Sequence, residues 1–93
     1  MRTIERTGAF KKDYKRVKAT PKHRDIADKL GVVLQHLIAD NPLSLKYCDH
    51  PLSGEWKDHR DCHVKPDLVL IYRKPDKQTL QLVRLGSHSE LGL

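Results

Sequence analysis

The fold is decided by residues 61–85, DCHVKPDLVLIYRKPDKQTLQLVRL. Three runs in this segment have the composition of β-strands, and residues typical of turns separate them. The runs are residues 61–65, 68–73 and 79–85, and the turns are Pro66-Asp67 and Pro75-Asp76-Lys77. Strands joined by such short turns pair as antiparallel hairpins, so the sequence predicts a meander of three or four strands.

The residues before this meander predict a strand and a basic helix. Residues 2–6 alternate crudely and contain Thr, Ile and Arg, which suits a short first strand. Thr7 is placed to cap a helix in which apolar residues recur at helical spacing. The apolar positions are Phe10, Tyr14 and Val17. Lysine and arginine fill most of the remaining positions, so the helix is amphipathic and basic.

A second helix is predicted to begin at Thr20-Pro21, because threonine caps helices and proline is tolerated in the first turn. Asp40-Asn41-Pro42 ends it. Its apolar stripe consists of Ile26, Leu30, Val33, Leu34, Leu37 and Ile38. A stripe of this width packs on a flat surface. Ninety-three residues form one domain, residues 1–93, and the predicted fold class is α+β. Two N-terminal helices pack on one face of a small twisted antiparallel sheet, in the order β-α-α-β-β-β-(β).

The opposite sheet face is the natural place for polar chemistry, because the helices leave it uncovered. Alternation along residues 61–65 puts Asp61, His63 and Lys65 on that face and Cys62 and Val64 on the other. Four of the six histidines fall between residues 50 and 88. Histidine, aspartate and arginine together can move protons and stabilise a phosphate without a metal. We expect three of the six histidines, His23, His36 and His59, to be surface residues.

Charge is concentrated at the N-terminus. The chain has 18 Lys+Arg and 12 Asp+Glu, and residues 1–24 hold nine basic residues but only two acidic ones. A clustered positive field attracts a polyanion or an acidic protein, although a solvated helix face has the same composition. The candidate RNA-binding residues are Lys11, Lys12, Lys15, Arg16, Lys18, Lys22 and Arg24.

Several classes of protein are disfavoured by composition. Two cysteines, Cys48 and Cys62, do not make a disulfide framework, and no apolar stretch approaches the roughly 20 residues of a membrane span. We therefore expect a cytoplasmic protein without a membrane partner. Cys62 and His63 are neighbours that point to opposite faces of a strand, and no C-x-x-C pair is present to start a zinc site. The expectation is that the protein uses no metal and no cofactor.

Three segments carry a resemblance to a known family: residues 49–57 (DHPLSGEWK), 60–72 (RDCHVKPDLVLIY) and 84–88 (RLGSH). The chain resembles, essentially from end to end, the YafQ branch of the RelE/ParE superfamily of toxins from type II toxin-antitoxin modules. The resemblance implies a RelE-like fold and a ribosome-dependent endoribonuclease that cuts mRNA in the ribosomal A site, touching 16S rRNA of the 70S ribosome. It also implies a metal-free mechanism, inhibition by a cognate antitoxin, and a toxin–antitoxin complex able to bind operator DNA.

The resemblance places the active site at five positions, with one supporting candidate. The positions are His50, His63, Asp67, Arg84 and His88, with Asp61 in possible support. The family often has an aromatic residue near its C-terminus, whereas no aromatic residue follows His88 here and residue 91 is leucine. This departure from the family concerns base stacking at that end and any sequence preference that depends on it.

The implied chemistry needs these residue types. Without a metal, the ribose 2′-OH attacks the phosphate, so a base, an acid and a cation are required. Histidine suits the first two roles because its usual pKa of about 6.5 leaves both forms populated near neutral pH. In this interpretation His88 is the general acid, Arg84 is the phosphate clamp, and Asp67 with His50 or His63 is the base or base-orienting group.

Each assignment has an ordinary structural alternative. His50 before Pro51 also suits a loop, His88 a terminal tail, and Asp67 a turn. The alternative function is a non-catalytic basic binding module, either a ParE-like inhibitor of another target or a DNA-binding regulator. A mere phosphate binder does not need the acid and base residues of the C-terminal half.

Overall fold

A computed structural model describes residues 1–93. The elements in chain order are β1 (Thr3–Arg6), α1 (Gly8–Ala19), α2 (Ile26–Ile38), β2 (His50–Pro51), β3 (Arg60–Lys65), β4 (Leu68–Arg73), β5 (Thr79–Gly86) and α3 (His88–Leu91). Single 3₁₀ turns occur at Pro21–His23, Leu45–Tyr47 and Gly54–Trp56. The α+β class is confirmed. No helix is long and apolar enough to cross a membrane.

Helix α1 begins as predicted and α2 does not. The Thr7 side chain accepts a hydrogen bond from the Phe10 amide at 3.0 Å and so caps α1. Thr20 caps no helix with its side chain, because its hydroxyl donates backward to the Arg16 carbonyl at 3.1 Å. Thr20 therefore ends α1. Residues 21–23 form one 3₁₀ turn, and α2 starts only at Ile26.

The sheet contains five strands in the order β1-β5-β4-β3-β2. The predicted meander is confirmed, since β2, β3, β4 and β5 pair consecutively and antiparallel. The prediction of a wholly antiparallel sheet is wrong, because β1 pairs parallel with β5 and Thr3 lies opposite Thr79. Hairpin rules concern strands that are neighbours in sequence, whereas β1 is separated from β5 by both long helices and the other strands.

A bulge in β5 changes which side chains share a face. Ile71 pairs with Arg84 and Tyr72 with Leu82, so Val83 is the extra residue. In a strand without a bulge, alternation would put Leu85 on the same face as Val83 and on the face opposite Leu82. The bulge instead puts Leu82 and Leu85 together in the core beneath the helices, while Val83 packs on the other face.

The core has two unequal parts. The larger joins α1 and α2 to the inner face of the sheet and includes Phe10, Val33, Leu70 and Leu80. The smaller lies on the opposite face, where Val69, Ile71 and Leu91 are buried with Leu52, Trp56 and Val83 beside them. The face predicted to be uncovered is therefore partly covered by α3 and by the segment around β2. Asp61 lies on this face as expected, but it is 1% exposed.

Candidate active site

Two neighbouring rows of side chains cross the sheet on the face opposite α1 and α2. Strand pairing places His50, Asp61, Ile71 and Arg84 in one row across β2 to β5. The next row holds His63, Val69 and Gly86, and His88 follows Gly86 at the start of α3. Paired residues of antiparallel strands project to the same side. Four of the five predicted site residues therefore lie at or beside these two rows.

His50 and Asp61 form the tightest pair in the site. His50 Nδ1 lies 3.0 Å from Asp61 Oδ1 and 2.7 Å from the Cys48 carbonyl oxygen. One N–H cannot point at both oxygens, and Asp61 Oδ1 has no hydrogen bond of acceptable geometry, so the proton points at Cys48 and the carboxylate is an electrostatic neighbour. Because both neighbours of Nδ1 accept protons, Nδ1 carries the hydrogen. In the neutral ring, Nε2 then has the free lone pair.

The loop that carries His50 is held by Asp49. The Tyr72 hydroxyl donates to Asp49 Oδ1 at 2.6 Å, and Arg60 donates to both Asp49 oxygens at 3.3 and 3.4 Å. Burial raises the pKa of the Tyr72 phenol and keeps it a donor. Asp49 was not among the residues predicted from the sequence, although its position directly before His50 was a usable signal.

His88 is brought to the site by a well-capped short helix. Ser87 Oγ accepts from the Glu90 amide at 3.2 Å, and the Ser87 amide donates to Glu90 Oε1 at 2.9 Å. This reciprocal capping box is encoded by Ser87 and Glu90, three residues apart. The His88 and His63 rings meet edge to face with centroids 4.8 Å apart. His88 is therefore not part of a disordered tail.

Leu91, at the position near the C-terminus where the family often has an aromatic residue, is part of the core. Its side chain is 5% exposed and packs with Val69 and Ile71. It fastens α3 to the sheet beside His88. At this position the chain uses an apolar anchor that points into the protein.

Asp61 is the electrostatic centre of the cluster. Burial raises the pKa of its carboxyl group, and the nearby charges of His50, His63 and His88 act in the opposite direction. All three histidines thus lie close enough to influence one carboxylate. A buried carboxylate among imidazoles can orient them and stabilise their protonated forms.

Arg84 is held by an acidic residue that was not predicted from the sequence. Arg84 Nε donates to Asp13 Oδ2 at 2.6 Å, and Arg84 Nη2 donates to Asp13 Oδ1 at 3.3 Å. Burial opposes the charge of Asp13, but hydrogen bonds from Arg84, the Leu85 amide and Arg16 hold the pKa of this carboxyl below its ordinary value. A signal was present in the sequence, because Asp13 interrupts the apolar stripe between Phe10 and Val17.

Asp67 forms no hydrogen bond with any of the site histidines. It is exposed in the turn between β3 and β4, and Asp67 Oδ2 is 3.0 Å from Lys22 Nζ. The hydrogen bond from Lys22 lowers the pKa of Asp67. The carboxylate forms its ion pair with Lys22 and with no histidine. The turn role is observed, and a catalytic role stays a prediction.

The predicted RNA-binding residues are exposed on α1 and on the segment that follows it. Two of the seven are committed to intramolecular contacts: Lys22 binds Asp67, and Arg16 binds Asp13, Glu90 and the Leu85 carbonyl. Lys11, Lys12, Lys15, Lys18 and Arg24 form no ion pair within the chain. These five are the residues best placed to bind an external polyanion.

The His, Cys, Asp and Glu side chains are not arranged around a common point as metal ligands would be. No set of three or more His, Cys, Asp or Glu side chains is arranged to hold a metal ion. Burial raises the pKa of the Cys62 thiol and keeps it protonated, so Cys62 is a core residue.

The prediction that His23 is a surface residue is wrong. The residue is 6% exposed, and its Nδ1 atom has no hydrogen-bond partner. The ring of His59 contacts the Trp56 ring edge to face.

The chain is similar in sequence and in fold to known toxins. The chain is 44% identical over 91 residues to the mRNA interferase toxin YafQ of Escherichia coli K12, covering 97% of this chain and 95% of the relative. It superposes on YafQ in the E. coli DinJ-YafQ complex with a TM-score of 0.82 and 41% identity, covering 98% of each chain. A metal-bound toxin from Helicobacter pylori gives a TM-score of 0.83 and 47% identity, covering 98% and 99%. The family described as a bacterial toxin of type II toxin-antitoxin systems, YafQ, matches residues 2–92, and the chain belongs to this family.

Proposed function

We propose that this toxin is a ribosome-dependent endoribonuclease that cuts mRNA in the ribosomal A site by general acid and base catalysis. The observation that carries the proposal is the clustering of His50, His63 and His88 around Asp61, with Arg84 in the same row of the sheet as Asp61. The 44% identity to an mRNA interferase toxin supports the substrate class. We place its action in the cytoplasm, where translating ribosomes are found.

His50 is the proton acceptor in this proposal. Its Nδ1 hydrogen is engaged by the Cys48 carbonyl and by the field of Asp61, so the free Nε2 takes the proton of the ribose 2′-OH. The 2′ oxygen then attacks the phosphorus atom. Asp61 stabilises the imidazolium that forms, as an orienting carboxylate does beside a catalytic histidine. Asp67 and His63 remain the competing assignments for the base.

His88 and Arg84 complete the reaction. The P–O5′ bond breaks as His88 gives a proton to the 5′ oxygen, leaving a 2′,3′-cyclic phosphate and a free 5′-OH. The guanidinium of Arg84 offsets the charge that grows on the phosphorane. Neighbouring strands are about 4.8 Å apart, so Arg84 starts roughly 10 Å from Asp61, a gap that the two side chains and a phosphate can span.

The basic residues of α1 supply the ribosome contacts in this proposal. Lys11, Lys12, Lys15 and Lys18 are exposed and form no ion pairs within the chain, as contacts to 16S rRNA phosphates require. The similar toxin YafQ is bound to DinJ in the solved E. coli toxin-antitoxin complexes, which supports a cognate antitoxin as a partner of this chain. We further propose that the toxin–antitoxin complex binds operator DNA.

The proposed mechanism is independent of metal, since proton transfer and charge stabilisation are both assigned to side chains. The metal-bound relative from H. pylori makes this a point to test directly. Cleavage is to be measured with a chelator that removes zinc and copper but leaves the magnesium that ribosomes require. Unchanged cleavage supports the metal-free mechanism, and a loss of cleavage that added zinc or copper restores contradicts it.

Primer extension on a defined mRNA, with and without translating ribosomes, tests the function itself. The wild type is compared with His88→Ala and with the matched control His36→Ala, a half-buried histidine on α2. We expect cuts only with ribosomes, loss of cuts in His88→Ala, and normal cuts in His36→Ala. Arrested growth of expressing cells without any cleavage would favour the binding-inhibitor alternative.

A further inference from the structure

Asp13 is an unusual residue for its position. It is the only acidic residue of the basic helix α1, and it is 3% exposed. A buried carboxylate is costly unless several donors compensate it. Here four donors do so: Arg84 Nε and the Leu85 amide at 2.6 and 3.0 Å on Oδ2, and Arg16 Nη1 and Arg84 Nη2 at 3.0 and 3.3 Å on Oδ1.

The geometry of the Arg84 pair leaves a defined part of the guanidinium unused. Asp13 takes the edge made by Nε and Nη2, and Nη1 has no partner in the chain. The guanidinium is planar and rigid, so a bidentate partner on one edge fixes the direction of the other. The Arg84 side chain is 30% exposed, as binding of a ligand by the remaining edge requires.

The same carboxylate is linked to the helix that carries His88. Arg16 binds Asp13 and also lies 3.4 Å, through Nε, from Glu90 Oε2. Glu90 in turn caps α3 through the Ser87 amide. A Cβ at Gly86 would lie 3.2 Å from both Arg16 Nη2 and Glu90 Oε1, so the absence of a side chain at residue 86 lets this network cross the strand.

We propose that Asp13 is a positioning residue for catalysis: it aims the free edge of Arg84 at the scissile phosphate and, through Arg16 and Glu90, fixes α3 and His88 relative to Arg84. This proposal rests on the proposed nuclease function. It predicts that Asp13 affects the chemical step through Arg84 and leaves ribosome affinity unchanged. A misplacement of about 1 Å at a reacting group can lower a rate on the order of a hundredfold.

A double-mutant cycle tests the proposal with Asp13→Asn, Arg84→Ala and the double variant. Single-turnover cleavage on programmed ribosomes is measured at increasing toxin concentration, which separates the maximal rate from the half-saturating concentration. We expect Asp13→Asn to lower the maximal rate about ten- to a hundredfold at an unchanged half-saturating concentration. In the Arg84→Ala background its effect should be smaller, because residues that act as a unit are not additive and only the route through Arg16 and Glu90 is left.

The matched control is Asp40→Asn, the same chemical change at an exposed carboxylate that binds Arg2 and Lys74 away from the site. Its backbone has φ of 57°, which asparagine tolerates. This variant should cleave like the wild type. If Asp13→Asn does not fold, Asp13→Glu, which keeps the charge but displaces the carboxylate, must show the same dependence on Arg84.

The possible outcomes are distinct. Equal losses of rate in both Arg84 backgrounds would show a role in stability alone, and an unchanged or increased maximal rate would show that Asp13 does not aim Arg84; either overturns the proposal. A wild type that cuts and an Asp13→Asn variant that cuts about ten- to a hundredfold more slowly, with the expected non-additivity, support it. A wild type that does not cut on ribosomes overturns the proposed function and this role together.

Discussion

The rings of His63 and His88 meet edge to face at 4.8 Å, although one belongs to β3 and the other to α3. The contact places the proposed acid against a second imidazole, whereas His50 pairs with Asp61 from strand β2. The proposed acid and the proposed base therefore come from different elements. The dependence of the cleavage rate on pH tests which residue is the base.

His50→Ala is expected to lower cleavage on the order of a hundred- to ten-thousandfold, the usual contribution of a general base. A histidine base must be neutral, so the wild-type rate falls on acidification, and His50→Ala should abolish that fall. Single-turnover rates from about pH 5 to 8 give the profile. His63→Ala and Asp67→Asn are the controls. If His63 or Asp67 is the base, the rate of that variant, and not of His50→Ala, will be independent of pH.

Asp61→Asn is expected to reduce activity without reducing stability. The raised pKa of buried Asp61 means that the folded protein holds this proton more tightly than the unfolded chain. The free energy of unfolding therefore falls as pH rises from 3.8 through the raised pKa, and stays lower at neutral pH. Removing the charge should leave the urea midpoint at pH 7 equal or higher. A clear drop in the midpoint would show that the ionised carboxylate stabilises the fold.

Asp13 should have the opposite effect on stability. Its pKa is held below 3.8, so its stabilising contribution is fully present above pH 3.8 and is lost as pH falls through the folded-state pKa. We expect Asp13→Asn to be less stable than the wild type at about pH 6 and to approach it as the pH falls to about 2. Urea unfolding across this range measures the difference, and a constant difference would contradict the assigned shift.

Leu91→Ala should release α3 and the histidine it carries. Leu91 is 5% exposed, and truncating such a leucine costs about 2 kcal/mol at the low end of the usual range. Cleavage should fall because His88 is no longer held against His63. Leu45→Ala, at a residue 96% exposed, is the matched control. Equal unfolding midpoints for the two variants would show that Leu91 does not anchor the helix.

The basic helix should control ribosome binding through salt. Lys12→Glu and Lys15→Glu are expected to weaken binding and to reduce the slope of log affinity against log salt by about one for each rRNA phosphate that is no longer bound. Ribosome pelleting at several ionic strengths gives the slope. Lys77→Glu, in the turn before β5, carries the same charge change away from α1 and should behave as wild type. Unchanged slopes in the α1 variants would exclude binding of rRNA phosphates by these lysines.

Local patterns in the sequence determined much of the fold. Thr7 as a cap, the apolar stripe of α2 and the turns at Pro66 and Pro75 all act over a few residues, so they can be identified without coordinates. The residues of the candidate site came chiefly from the resemblance to a toxin family. The start of α2 was misplaced because the Thr20 hydroxyl, which the pattern assigned to a cap, bonds back to α1.

Only the tertiary structure decided how distant segments meet. The parallel pairing of β1 with β5, the bulge at Val83 and the burial of Asp61 depend on long-range packing. The bonds from Asp13 to Arg84 depend on α1 crossing β5, and no spacing rule relates residues so far apart. The sequence by itself therefore determined most of the elements, though not α3, and the types of residue in the proposed site. The arrangement of those residues came from tertiary packing, because that alone brings side chains from separate elements close together.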